Sequence, residues 1–172
     1  SAPSNWRWRW IPIDGGGAIM TVEVSPHDPR VVLAGCDVGG GMRSEDAGKT
    51  WARCNDGLLS DGDRGVAAFA WDPNRSSVVY LASGACFGQP RGPYGGLFRS
   101  DDGGKTWRLV SREVRFSGFG TYRQWGNVLK FHPRDGSLWA GTAWDGVKRS
   151  RDGGKSWETV TATGSFVVGV DW

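Results

Sequence analysis

Apolar and polar positions alternate with a period of two along most of this chain, in runs too short for helices. Ile19-Met20-Thr21-Val22-Glu23-Val24-Ser25-Pro26 is such a run, an alternating strand that ends in a proline-bearing turn. Val66-Ala67-Ala68-Phe69-Ala70-Trp71-Asp72-Pro73 and Val128-Leu129-Lys130-Phe131-His132-Pro133 repeat it. After each comes a polar turn and a second apolar strand: Val31-Val32-Leu33-Ala34-Gly35, Val78-Val79-Tyr80-Leu81-Ala82 and Ser137-Leu138-Trp139-Ala140-Gly141. A third strand follows (Gly41-Met42-Arg43, Gly96-Leu97-Phe98-Arg99, Gly146-Val147-Lys148-Arg149), then a tight turn and a fourth strand led by tryptophan. The pattern predicts an all-β chain built from three four-stranded antiparallel units.

The turn before each fourth strand is itself a repeat. Ser44-Glu45-Asp46-Ala47-Gly48-Lys49-Thr50-Trp51, Ser100-Asp101-Asp102-Gly103-Gly104-Lys105-Thr106-Trp107 and Ser150-Arg151-Asp152-Gly153-Gly154-Lys155-Ser156-Trp157 start 56 and then 50 residues apart. Asp-Gly-Gly is turn chemistry: glycine accepts positive φ, and the carboxylate can take hydrogen bonds from nearby backbone N–H groups. The pattern resembles the Asp-box of sialidases, sortilin-like receptors and family 74 glycoside hydrolases. Asp46, Asp102 and Asp152 are accordingly read as structural, because in those families the box lies away from the active site.

Four antiparallel strands in each unit of roughly 50 residues make a propeller blade. The predicted architecture is a partial β-propeller over residues 1–172, with blades at about 19–57, 65–114 and 125–163. Residues 5–13, where aromatic and basic side chains alternate, read as the outer strand of an incomplete blade. Residues 166–172 read as the inner strand of another. Propellers close with about 4–8 blades, so further blades, a second propeller or self-association are the expected partners.

Composition narrows this picture rather than changing it. The chain of 172 residues holds 28 glycines and 11 tryptophans, as short strands joined by tight turns require, and its net charge is only +3. That basic excess is scattered, which argues against nucleic acid, and no apolar run approaches a membrane span. No signal peptide is read in the chain, though the opening Ser1-Ala2-Pro3-Ser4-Asn5 fits a start left after removal of one. Cys36, Cys54 and Cys86 allow at most one disulfide, and their spacing matches no zinc pattern. Neither a metal nor a cofactor is expected. His27 and His132 sit beside the turn prolines and read as structural.

Two stretches break the repeat: an insertion over residues 86–94 and a long loop over residues 114–125. Binding residues tend to sit on such loops of a rigid β scaffold. Their aromatic residues Tyr94, Tyr122 and Trp125, together with Trp144 in the third blade, are candidates to stack on sugar rings.

Gly15-Gly16-Gly17, a strand ending in Ser25-Pro26, a second strand running into Asp37-Val38-Gly39-Gly40, and then the box resemble the start of xyloglucanases of glycoside hydrolase family 74. The second and third blades resemble that family as well. The resemblance implies a secreted, inverting endo-β-1,4-glucanase acting on xyloglucan, with two propellers and the substrate cleft between them. It implies that Asp37 is the general base; a turn aspartate capping backbone N–H groups is the other reading of that residue. Its position after the second strand, with the irregular loops leaving the corresponding parts of the next two blades, predicts an accessible carboxylate in a groove lined by Tyr94, Tyr122, Trp125 and Trp144. The partner acid of the family lies in the second propeller. Within this chain only Asp145, in Trp144-Asp145-Gly146, stands at a comparable point, and a simple turn explains it equally well. A sialidase is disfavoured, since no arginine triad with a tyrosine nucleophile emerges. A non-catalytic Asp-box propeller that binds glycan or protein is the alternative reading.

Overall fold

The computed structural model describes residues 10, 13, 16–86, 95–120, 123–124, 127–161 and 167–172. Apart from one 3-10 turn at Asp61–Arg64, its regular structure is β. The first sheet joins β1 (Ile19–Val24), β2 (Val32–Cys36), β3 (Gly40–Ser44) and β4 (Ala52–Arg53) in that order. Next in the chain come β5 (Val66–Trp71), β6 (Val79–Ser83), β7 (Ala85–Cys86), β8 (Gly96–Ser100) and β9 (Arg108–Ser111). Of these, β5, β6, β8 and β9 form the second sheet. After β10 (Phe119–Gly120), the third sheet joins β11 (Leu129–Phe131), β12 (Leu138–Gly141), β13 (Val147–Ser150) and β14 (Glu158–Thr159). All pairings within these three sheets are antiparallel.

The innermost strand of the middle sheet, β5, lies against both β1 and β11, so the three sheets are blades set side by side around a common axis. This is the three-bladed arc of a propeller that the repeat predicts. The middle blade is buried on both faces. Toward the first blade it presents Val66, Phe69, Trp71, Val79, Leu81, Phe98 and Trp107, packed with Leu33, Cys54 and Leu58. Toward the third it presents Ala67, Ala68, Ala70, Tyr80 and Leu97, packed with Leu129, Leu138 and Ala140. A bulge between Val66 and Ala68 lets two successive alanines face the same neighbour. Burial on both faces explains why β5 is apolar throughout, while Val22 and Val24 of β1 remain half exposed.

Two departures from the sequence pattern matter. The loop after the second blade carries a strand of its own: β10 pairs in parallel with β7, docking Phe119 and Gly120 onto the start of the insertion. Residues 167–172 form no strand; Val167 N–H donates to the Thr142 carbonyl (3.0 Å) and Val170 N–H to that of Asn127 (2.7 Å). An inner strand needs a second strand to build a ladder, and none pairs with it among the described residues. Of the expected outer strand at residues 5–13, only Trp10 and Ile13 are described, and Trp10 is exposed.

Candidate functional site

Antiparallel order sorts the turns onto two ends. The β1–β2 and β3–β4 turns of the first blade, and their equivalents in the others, share one end. The β2–β3 turn, the β6–β8 and β12–β13 connections and the links between blades share the other. Asp37 is the first residue of the β2–β3 turn, so it lies at the end opposite the three Asp-boxes.

Each box uses its carboxylate to close its own turn. In the first, Asp46 Oδ1 accepts the N–H groups of Lys49 and Thr50, both at 2.9 Å. Its Oδ2 accepts the Thr50 hydroxyl at 2.7 Å. Ser44 Oγ donates to Oδ1 (2.8 Å) and accepts the Gly48 N–H (2.9 Å). Asp102 and Asp152 repeat every one of these bonds. The Thr50 hydroxyl and N–H bring Asp46 down to about 2. At Asp102 partial burial acts the other way, but bonds from Ser100 and Thr106 still bring it to about 2. Ser156 chiefly holds Asp152 well below the usual carboxylate range.

Asp37 has a different setting. The expectation of an open carboxylate is corrected here: its side chain is 7 % exposed. Oδ1 accepts the Ala18 N–H at 2.9 Å, while Asp37 N–H donates back to the Ala18 carbonyl at 3.0 Å. Cys36 Sγ lies 3.6 Å from the same oxygen and 2.8 Å from the Gly16 carbonyl, which it meets as donor. Arg123 Nη1 stands 3.2 Å from Oδ2, its guanidinium 5.5 Å above the Phe119 ring. The carboxylate is covered because residues 16–18 lie directly against it. Gly17 has φ +107°, and a Cβ there would fall 2.0 Å from Oδ1, so only glycine admits this approach.

The aromatic candidates divide. Tyr94, Tyr122 and Trp125 lie outside the described residues. Trp144 is half-buried and carries the Arg115 guanidinium 5.5 Å over its ring, so that face is not open to a sugar. The same guanidinium forks onto both Asp145 oxygens, at 3.0 and 2.6 Å. Asp145 N–H donates to Thr142 Oγ1 (2.6 Å), which makes the segment a fastened turn. Among the described residues no cluster of three or more His, Cys, Asp or Glu side chains is placed to hold a metal.

Several residues that organise this end went unnoticed in the sequence. Asp63, fully buried, caps the 3-10 turn with Ser60 and also takes Gly95 N–H (3.2 Å) and Arg112 Nη1 (2.9 Å). Burial opposes its charge, yet the Arg112 and Ser60 bonds leave it below the usual carboxylate range. The Ser-x-x-Asp spacing at residues 60–63 was a readable signal for that cap. Gln124 is also fully buried, with Oε1 on Ser117 N–H (2.9 Å) and Nε2 on the carbonyls of Gly141 (2.8 Å) and Val167 (2.7 Å). At Gly84, whose N–H donates to the Gly65 carbonyl, a Cβ would strike the Phe116 carbonyl at 1.9 Å. The loop thereby packs backbone to backbone on the middle blade. Neither Gln124 nor Arg123 carries a local sequence signal, because Gly141 and Val167 on the one and Asp37 on the other lie outside their loop.

Known proteins match both the boxes and the blades. The BNR/Asp-box repeat model matches residues 98–109. Over 141 residues the chain is 29% identical to xyloglucanase Xgh74A of Acetivibrio thermocellus, covering 80% of this chain and 17% of that protein. It is 27% identical over 181 residues to a xyloglucanase of Hypocrea jecorina, covering 96% of this chain and 21% of that one. The chain thus spans about a fifth of the length of these relatives. Among solved structures, the GH74 xyloglucanase of Xanthomonas campestris superposes with a TM-score of 0.73 at 29% identity, covering 90% of this chain and 22% of that one. YCF48 from Cyanidioschyzon merolae shares the fold alone, with a TM-score of 0.59 at 16% identity over 88% of this chain and 42% of its own.

Proposed function

We propose that this chain is part of an inverting glycoside hydrolase that cleaves the β-1,4-glucan backbone of xyloglucan, with Asp37 as the general base. The observation that carries the reading is the placing of Asp37. Its carboxylate sits at the loop-rich end of the blades, away from the Asp-boxes, and does not close its own turn as theirs do. Inverting hydrolysis needs a base and an acid carboxyl roughly 6.5–9.5 Å apart, with a water between base and sugar. The acid is assigned to a part of the enzyme outside this chain, since both Asp145 oxygens are engaged by Arg115. Tyr94, Tyr122 and Trp125 are retained as candidate sugar platforms. The substrate, a polysaccharide, places the protein outside the cytoplasm, extracellular or periplasmic.

Asp37→Asn in the full-length protein tests this. The amide keeps the shape but cannot take a proton, so turnover of xyloglucan should fall about 100-fold or more while oligosaccharide binding stays within a few-fold. Turnover at the wild-type rate overturns the assignment. One observation favours a second reading, a non-catalytic propeller that binds glycan or protein: Asp37 lies buried beneath residues 16–18 and Arg123. Under that reading Asp37→Asn changes stability, and the wild-type protein releases no reducing sugar from xyloglucan.

A further inference from the structure

We propose that Arg123 is a positioning residue for the base, fixing the plane of the Asp37 carboxylate and supplying its counter-charge; this rests on the reading of Asp37 given above. Arg123 belongs to the loop between the second and third blades, yet its guanidinium ends 3.2 Å from a carboxylate of the first blade. The described residues on either side of Arg123 are tied down. Gly118 N–H donates to the Gly84 carbonyl at 2.9 Å, and β10 pairs with β7. Gln124, the next residue, donates its N–H to the Ser117 carbonyl (2.6 Å) and spends its side-chain amide on Ser117, Gly141 and Val167. Its complete burial fixes the backbone from which Arg123 projects. The Phe119 ring then backs the guanidinium.

The two carboxylate oxygens are not equivalent. Oδ1 accepts the Ala18 N–H at 2.9 Å and lies 3.6 Å from Cys36 Sγ, whose proton goes to the Gly16 carbonyl. Oδ2 meets Arg123 alone among the described residues and accepts no backbone N–H there, which makes it the freer oxygen for a proton, beside the guanidinium. Arg123 is 32 % exposed where Asp37 is 7 %, so of the two the arginine is the one nearer solvent. Removing Arg123 would leave Oδ2 without the ion pair that fixes its plane, and a base that turns away from the water it must deprotonate works poorly. Lysine would preserve the charge but not the planar fork.

The test pairs kinetics with unfolding. In the full-length protein Arg123→Ala should lower kcat on xyloglucan about 10–100-fold with KM within about 3-fold, and Arg123→Lys should recover part of the loss. Wild-type kcat in Arg123→Ala, or a raised KM with kcat kept, overturns the proposal. If Asp37→Asn abolishes turnover and Arg123→Ala does not, only the arginine assignment fails; if neither affects it, the base assignment fails too. Should Arg123→Ala fold poorly, a double-mutant cycle reads the pair without activity. Arg123→Lys should shift the unfolding midpoint in the wild-type background and shift it much less beside Asp37→Asn. Equal shifts in both backgrounds overturn the pairing.

Discussion

The indole Nε1 of Trp107 donates to the backbone carbonyl of Cys54, 2.8 Å away in the preceding blade. Trp51 and Trp157 hold the same place in the same octet, but their Nε1 groups turn back to Gly48 and Gly154 of their own boxes, at 3.0 and 3.1 Å. Trp107 N–H also donates to the Asp56 carbonyl at 2.8 Å, and its ring lies 5.9 Å from that of Phe69. Its side chain therefore bolts the second blade to the first.

The bolt should dominate over its repeats in stability. Trp107→Ala is expected to cost about 3–5 kcal/mol, the range for removing a large buried aromatic. Trp51→Ala, at a half-exposed position, should cost about 1 kcal/mol. Equal losses in denaturant unfolding would show that the box tryptophans are interchangeable.

The boxes should behave as fasteners. Asp102→Ala removes the acceptor of two backbone N–H groups and two hydroxyls, and should cost about 1–2 kcal/mol, moderated by water reaching this exposed turn. Oligosaccharide binding should not change, because the box lies at the end opposite Asp37. Loss of binding with an unchanged unfolding midpoint would make the box a site.

Acid should undo the boxes together. Asp46 and Asp102 are depressed to about 2 in the folded protein, against an unfolded value near 4. The folded state thus gains from their ionisation above about pH 4, and loses that gain as pH falls toward 2. Thermal midpoints measured from pH 6 to 2 should drop across that window, and Asp102→Asn should flatten part of the drop.

The first box departs from the other two in a way that leaves room for improvement. Ala47 takes φ +59°, at the position Gly103 and Gly153 fill with φ +74° and +75°. A left-handed alanine costs roughly 1–2 kcal/mol, partly offset by the extra freedom of glycine in the unfolded chain. Ala47→Gly should therefore raise stability slightly, by up to about 1 kcal/mol, in the same unfolding assay.

Gln124 offers the strongest single test of the loop. Gln124→Leu would strand the Ser117 N–H and the carbonyls of Gly141 and Val167 in the interior. A loss of about 2–4 kcal/mol is expected. Faster amide exchange at Ser117 would locate the loss in the loop; an unaltered exchange pattern would count against the clasp.

What the sequence determined by itself was whatever closes within a few residues. The carboxylate of each box closes its turn inside the octet, since among the described residues Asp46 bonds to Ser44, Lys49 and Thr50, so the pattern alone announces the turn. The blades were legible because a strand buried on one face alternates and a strand buried on both, as β5 is, does not. Tertiary structure decided the rest. The same tryptophan in the same motif bonds within its own turn or across to a neighbour, according to what packs beside it. Asp37 read as an open carboxylate because its strand and turn say nothing of residues 16–18 or of Arg123, which arrive from elsewhere in the chain. Burial and ion pairing depend on distances in space between segments far apart in sequence, and no local pattern of residues encodes those distances.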